Sequence, residues 1–115
     1  MGQYWRPVNL DKKEFLHAHE LGGGLKLSEI AYSSGGVASA LVLLLAPLPR
    51  RRGSGDVQPH PLMGHWAGDR IVMVGDYSEA ADLPGCPVDF GSLYGAEGYT
   101  DISHQAREMI AQNNN

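Results

Sequence analysis

HWAGDRIVMVGDY, His65 to Tyr77, places an unbroken apolar run, Ile71 to Val74, between the turn pairs Gly68-Asp69 and Gly75-Asp76. A run of this length, bounded by turn formers, reads as a strand covered on both faces. Asp69 and Asp76 then fall at the strand ends, where aspartate commonly closes a turn by accepting from nearby backbone. Trp66 is placed to anchor the preceding loop on the core, burying a large ring with its indole N–H satisfied. Exposed instead, it would be a partner contact, because aromatic and arginine side chains dominate interface hot spots.

The segments on either side supply the rest of the fold. GQYWRPVNL is rich in aromatic and β-favouring residues, the polar DKKE follows, and EFLHAH resumes an apolar and polar alternation. This predicts a β-hairpin. On its second strand Phe15, His17 and His19 share one face, with Leu16 and Ala18 on the other. Gly22, Gly23 and Gly24 mark a loop, and KLSEIAY is too short to choose between a strand and a helical turn. SSGGVASALVLLLAP predicts a helix capped by Ser33 or Ser34 and stopped by Pro47, with Val37, Leu41, Leu44 and Leu45 on one face. Val42 and Leu43 widen its apolar surface, so burial on two sides, between a sheet and another layer, is expected.

Residues 47–64 mix Pro, Gly and Ser with a basic triplet and show no period, which predicts a long mobile loop. Beyond the Ile71 strand, a second passage rich in Gly and Pro predicts turns and one short strand over 88–94. TDISHQAREMIAQNNN predicts a helix with Thr100 or Asp101 as N-cap, an apolar face of Ile102, Ala106, Met109 and Ile110, and a frayed asparagine tail. The expected fold is a single α+β domain over residues 1–115. In it, a small, mainly antiparallel sheet packs against a buried central helix and a C-terminal helix.

Composition narrows the function classes. With 43% apolar residues the chain can close one core, and 19% charged residues do not suggest disorder. A net charge of −4 repels phosphate polymers and acidic membrane surfaces, which disfavours nonspecific nucleic-acid binding. The lone Cys86 can form neither an internal disulfide nor a CxxC pair, which fits a reducing, cytoplasmic setting. ASALVLLLAPL, Ala38 to Leu48, is about half the length of a membrane span, and it starts too late for a secretory leader. No membrane partner and no leader are expected.

The sharpest chemical pattern is His17-x-His19. On a strand both imidazoles point the same way, and His60, His65, Asp69 and Asp76 lie on later loops that can supply further ligands. The set His17, His19, His65 and Asp69 would suit zinc or iron(II). No HExxH sequence and no grouped carboxylate stands beside it as a general base, so a cofactor-free protein is the first expectation. Cys86 lies between prolines without a basic neighbour and reads as inert. The glycine runs lack the GK[ST] ending and the GxGxxG spacing of phosphate loops. Arg50, Arg51 and Arg52 on the long loop could clamp an acidic partner or phosphates, but no aromatic residues interleave with them.

Taken together, MGQYWRPVNLDKKEFLHAHELGGGLKL, GHWAGDRIVMVGDYSE and YTDIS resemble a group of small bacterial and phage proteins that share an MGQY start, a GLKL segment and a WAGDRI...GDY block. The likeness spans about two-thirds of the chain, and the arginine loop and the Cys86 passage fit it least well. It implies one compact unit of bacterial or phage origin and assigns no catalytic residue. The expected function is a non-enzymatic cytoplasmic module that binds another protein through Arg50, Arg51, Arg52 and Trp66, as an inhibitor or immunity-type antagonist. One alternative is a metal-dependent hydrolase or oxygenase built on the His-x-His pair. A second is nucleic-acid binding through the arginine loop.

Overall fold

The computed structural model describes residues 2–32, 35–51, 53–86 and 88–113. Strand β1 (Trp5–Asn9) pairs antiparallel with β3 (Ile71–Gly75), Trp5 opposite Gly75 and Asn9 opposite Ile71. On its other side β1 pairs antiparallel with β2 (Glu14–Phe15), and β2 pairs in parallel with β4 (Thr100–Asp101), giving the order β3-β1-β2-β4. The sheet is thus mainly antiparallel, as the apolar run and the hairpin pattern predict. The hairpin turn is built by one side chain. Asn9, fully buried, accepts from the backbone N–H groups of Asp11 and Lys12 at 2.9 and 2.8 Å.

β2 is shorter than the alternation in EFLHAH suggests, and the cause lies in β1. Leu16 N–H reaches the Pro7 carbonyl at 3.2 Å, but Pro7 has no N–H to return. The His17 N–H leaves the sheet for Ser103 Oγ at 2.6 Å, and Ala18–Leu21 wind into a 3-10 turn. His17 and His19 therefore do not share a strand face. His17 caps that turn, its Nδ1 accepting from His19 N–H at 3.3 Å.

The strand alternation sorts two clusters onto opposite faces of the sheet. One gathers Trp5, Leu16, Ile71 and Met73 with Trp66 and the helices α1 (Leu27–Ala31), α2 (Val37–Leu44) and α4 (Ser103–Asn113). The other gathers Val8, Phe15, Val72 and Val74 with Leu93 of α3 (Phe90–Gly95) and the chain before it. Both faces of β3 are covered, as its unbroken apolar run requires. Where 88–94 was expected to hold a strand, Asp89 instead accepts from Ser92 N–H at 3.1 Å and starts α3.

Helix α2 buries Val37, Ala40 and Leu44. It is covered on one side only. Val42 is 66% exposed and Leu45, its C-cap, 45% exposed, which corrects both the expectation of two-sided burial and the placing of Leu45 on the buried face. Gly36 is the N-cap, and the expected caps Ser33 and Ser34 lie outside the described residues. Among the described residues no regular element follows α2 before β3, and the chain returns to cap the helix it left. Gly64 N–H and Trp66 N–H donate to the Leu43 and Leu44 carbonyls at 3.0 and 2.9 Å, satisfying acceptors that a helix end leaves free. Gly64 has φ +76°, and a Cβ there would meet the Pro47 backbone at 2.6 Å.

Ile102, just before α4, and Ala106, Met109 and Ile110 on it are buried, the face expected from their spacing. Asp101 accepts from both the N–H and the hydroxyl of Ser103, at 2.9 and 2.5 Å. That hydroxyl is the acceptor for His17 N–H, so the start of α4 and the chain just after β2 are joined through the buried Ser103. Among the described residues no helix is long and apolar enough to cross a membrane.

Candidate functional site

The register that puts Glu14 opposite Asn9 also sets both side chains on the helix-bearing face. There the Glu14 carboxylate meets the turns that precede β3. Its Oε1 accepts from the indole N–H of Trp66 at 2.8 Å and lies 3.0 Å from His65 Nε2. With a proton on Nε2, His65 donates to it as well. Trp66 itself is 0% exposed. It is therefore the core anchor of the loop and is not available as a partner contact.

Asp69 and Asp76 clamp the two ends of β1. Asp69 Oδ2 accepts from Asn9 Nδ2 at 2.9 Å and from Lys12 Nζ at 2.5 Å, and those bonds, Asn9 first, hold its carboxyl below the ordinary range. Beside it, Asp11 accepts from the Arg70 backbone N–H at 2.7 Å and from the guanidinium Nε at 3.0 Å, and its carboxyl is held low by the same contacts in that order. At the far end Asp76 Oδ1 accepts from Tyr4 N–H at 3.0 Å and Gln3 Oε1 from Tyr77 N–H at 3.3 Å. The MGQY and GDY blocks are thus joined to each other, and WAGDR is joined to the hairpin.

The candidate metal ligands separate into different duties. The His17 and His19 rings stack with centroids 5.7 Å apart. Burial, and next the Arg6 charge, lowers the His17 pKa from its usual value. His65 is on Glu14 and Asp69 on Asn9 and Lys12, while His60 Nδ1 accepts from Leu62 N–H at 3.1 Å. Among the described residues no three or more His, Cys, Asp or Glu side chains come together in a way that could hold a metal ion. Arg6, which no sequence pattern singled out, lies over the Phe15 and Tyr94 rings at 5.1 and 4.7 Å and takes part in packing.

Two features are left facing outward on the α2 side. Ala38, Val42 and Leu45 follow one another at i, i+4 and i+7, a single stripe turned away from the buried Val37, Ala40 and Leu44. Helix α2 holds no charged residue. Apart from Ser39 the helix is apolar, and the stripe leaves Val42 and Leu45 exposed. Beyond its end Arg50 and Arg51 are exposed, with no ion pair among the described residues, and Arg52 lies outside those residues. No protein family, curated protein or solved structure matches this chain.

Sequence reasoning missed two of these points. Glu14 gave no local signal, because its partners are some fifty residues away in sequence. The outer stripe did give one. The spacing 38, 42, 45 is as periodic as 37, 40, 44, and only the number of layers decides whether it is covered.

Proposed function

We propose that this protein is a non-enzymatic interaction module of the bacterial or phage cytoplasm that docks another polypeptide on the outer face of α2. The observation that carries the reading is Val42, 66% exposed on a helix without a charge. Helix faces with apolar residues at i, i+4 and i+7 are read by grooves on a partner, and desolvating such a stripe supplies the affinity. Arg50 and Arg51, exposed just beyond the helix, suit an acidic rim on that partner and give the encounter its direction. A small domain that fills a partner's groove in this way acts as an inhibitor or antagonist. The Glu14, Asp69 and Asp76 networks serve the scaffold, so they stand behind the surface rather than in it.

The test is affinity capture from host lysate with the wild-type chain and with Val42→Glu side by side. A protein enriched by the wild type and lost with Val42→Glu, while both chains keep the same circular dichroism, is the expected result. Identical captured sets from the two chains would overturn the reading.

A further inference from the structure

Strand β3 forms one edge of the sheet, and its register with β1 shows which of its groups are free. Leu10 N–H donates to Arg70 O at 2.9 Å and Asp76 N–H to Tyr4 O at 3.0 Å. Antiparallel alternation then gives the ladder bonds toward β1 to Arg70, Val72, Val74 and Asp76. Ile71, Met73 and Gly75 direct their N–H and C=O groups the other way. Gly75 is satisfied by its own turn, donating to Ser78 Oγ and accepting from Ser78 N–H, both at 3.2 Å. Ile71 and Met73 have no such partner among the described residues, and both are only half-buried. Two donors and two acceptors thus line the edge in the spacing of one strand.

Two cavities flank these residues. One, of about 380 Å³, is lined by Trp5, Met73, Tyr77, Asp82 and Leu83 among others. The other, of about 220 Å³, is lined by Leu10, Val72, Leu83 and Cys86 among others. Met73 and Val72 are consecutive, so their side chains lie on opposite faces of the sheet and so do the cavities. Leu83 borders both, which sets them at the same edge. The first cavity also adjoins residues 76–82, which carry Asp76, Glu79 and Asp82 and no Lys or Arg.

We infer that the β3 edge is a strand-addition site for an extended segment of a partner protein. Hydrogen bonds to Ile71 and Met73 give the backbone its register, and consecutive side chains enter the two cavities in turn. The residue entering the Trp5 and Tyr77 cavity is Lys or Arg, because two aromatic residues and Asp82 line it beside a segment that carries three carboxylates and no cation. The residue entering the Cys86 cavity is aliphatic, matching Leu10, Val72 and Leu83. This surface is separate from the α2 stripe, and the inference does not depend on it.

The probe is a fluorescein-labelled synthetic peptide of alternating valine and arginine, with valine–glutamate and mid-proline peptides as controls. Anisotropy is read together with amide hydrogen exchange of the whole protein by NMR. In the free protein, Ile71 and Met73 amides should exchange faster than those of Val72 and Val74. Saturating valine–arginine peptide should slow them roughly tenfold or more, and the control peptides should bind at least about tenfold more weakly. Met73→Pro removes an outward N–H without touching the β1 ladder and should abolish binding. Should that variant fail to fold, Asp82→Lys is the second, with at least about a tenfold loss for the arginine peptide. Equal binding of all three peptides would overturn the inference. So would unchanged exchange at Ile71 and Met73, or protection that rises with protein concentration alone, which would make the occupant a second copy.

Discussion

Glu14 lies on a strand of two residues, yet it holds the largest buried ring of the core. Its carboxylate accepts from the fully buried Trp66 indole and faces His65, so removing it strands a buried donor. Glu14→Ala should cost about 1–3 kcal/mol in urea unfolding, and Glu14→Gln, which keeps an acceptor, should cost less. His17 gives a second prediction at a single side chain. Burial, then the Arg6 charge, places its folded pKa below the ordinary 6.5. As pH falls the unfolded chain binds this proton first, so the stability contributed here is full above 6.5 and is lost as pH drops toward the folded value. His17→Asn keeps a cap acceptor that does not titrate, and unfolding curves taken from about pH 7 down to about pH 5 should show a shallower loss than wild type.

Helix α2 separates two kinds of apolar residue that look alike in the sequence. Leu44→Ala, on the fully buried face, should cost about 2–5 kcal/mol, whereas Val42→Glu, on the exposed face, should stay within about 0.5 kcal/mol of wild type in the same urea titration. Losing stability equally at both positions would mean that the outer face is covered. Strands β1 and β3 and the two longer helices were legible because their patterns are local: an apolar run between turn formers for β3, and a face repeating every three or four residues for α4. Strand β4 was not, since Thr100 and Asp101 read as helix caps and pair with β2 from far along the chain. The early end of β2 was half legible. Pro7 stands in the sequence as a missing donor, but the Ser103 hydroxyl that draws His17 off the sheet lies 86 positions away. Residues 88–94 were misread because Gly and Pro around them outweighed Asp89, whose cap starts α3.

Considered as one body, the molecule is tied across its sheet by carboxylates from the stretch that precedes and follows β3. Asp69 and Asp11 are both held low by hydrogen bonds, so their contributions are complete above pH 3.8 and are lost as pH falls below it. Acid unfolding monitored by tryptophan fluorescence should therefore steepen below that value, and Asp69→Asn should blunt the effect. The sequence picked out Arg50 and Arg51, which are exposed, and placed the apolar helix, but expected that helix to be covered on both sides. It offered Trp66 as the buried anchor of its loop, as found, but could not disclose Glu14 as the acceptor of the indole N–H, nor that His65 and Asp69 take partners away from the stacked His17 and His19, since these follow from pairings between distant segments. What the fold leaves unfinished is the outer face of α2, and a photo-crosslinking amino acid at position 42 in living host cells tests it directly. The proposed interaction predicts a discrete adduct with another protein at position 42 and none at position 108, on the exposed side of α4. No adduct at 42, or one only with a second copy of this chain, would contradict it.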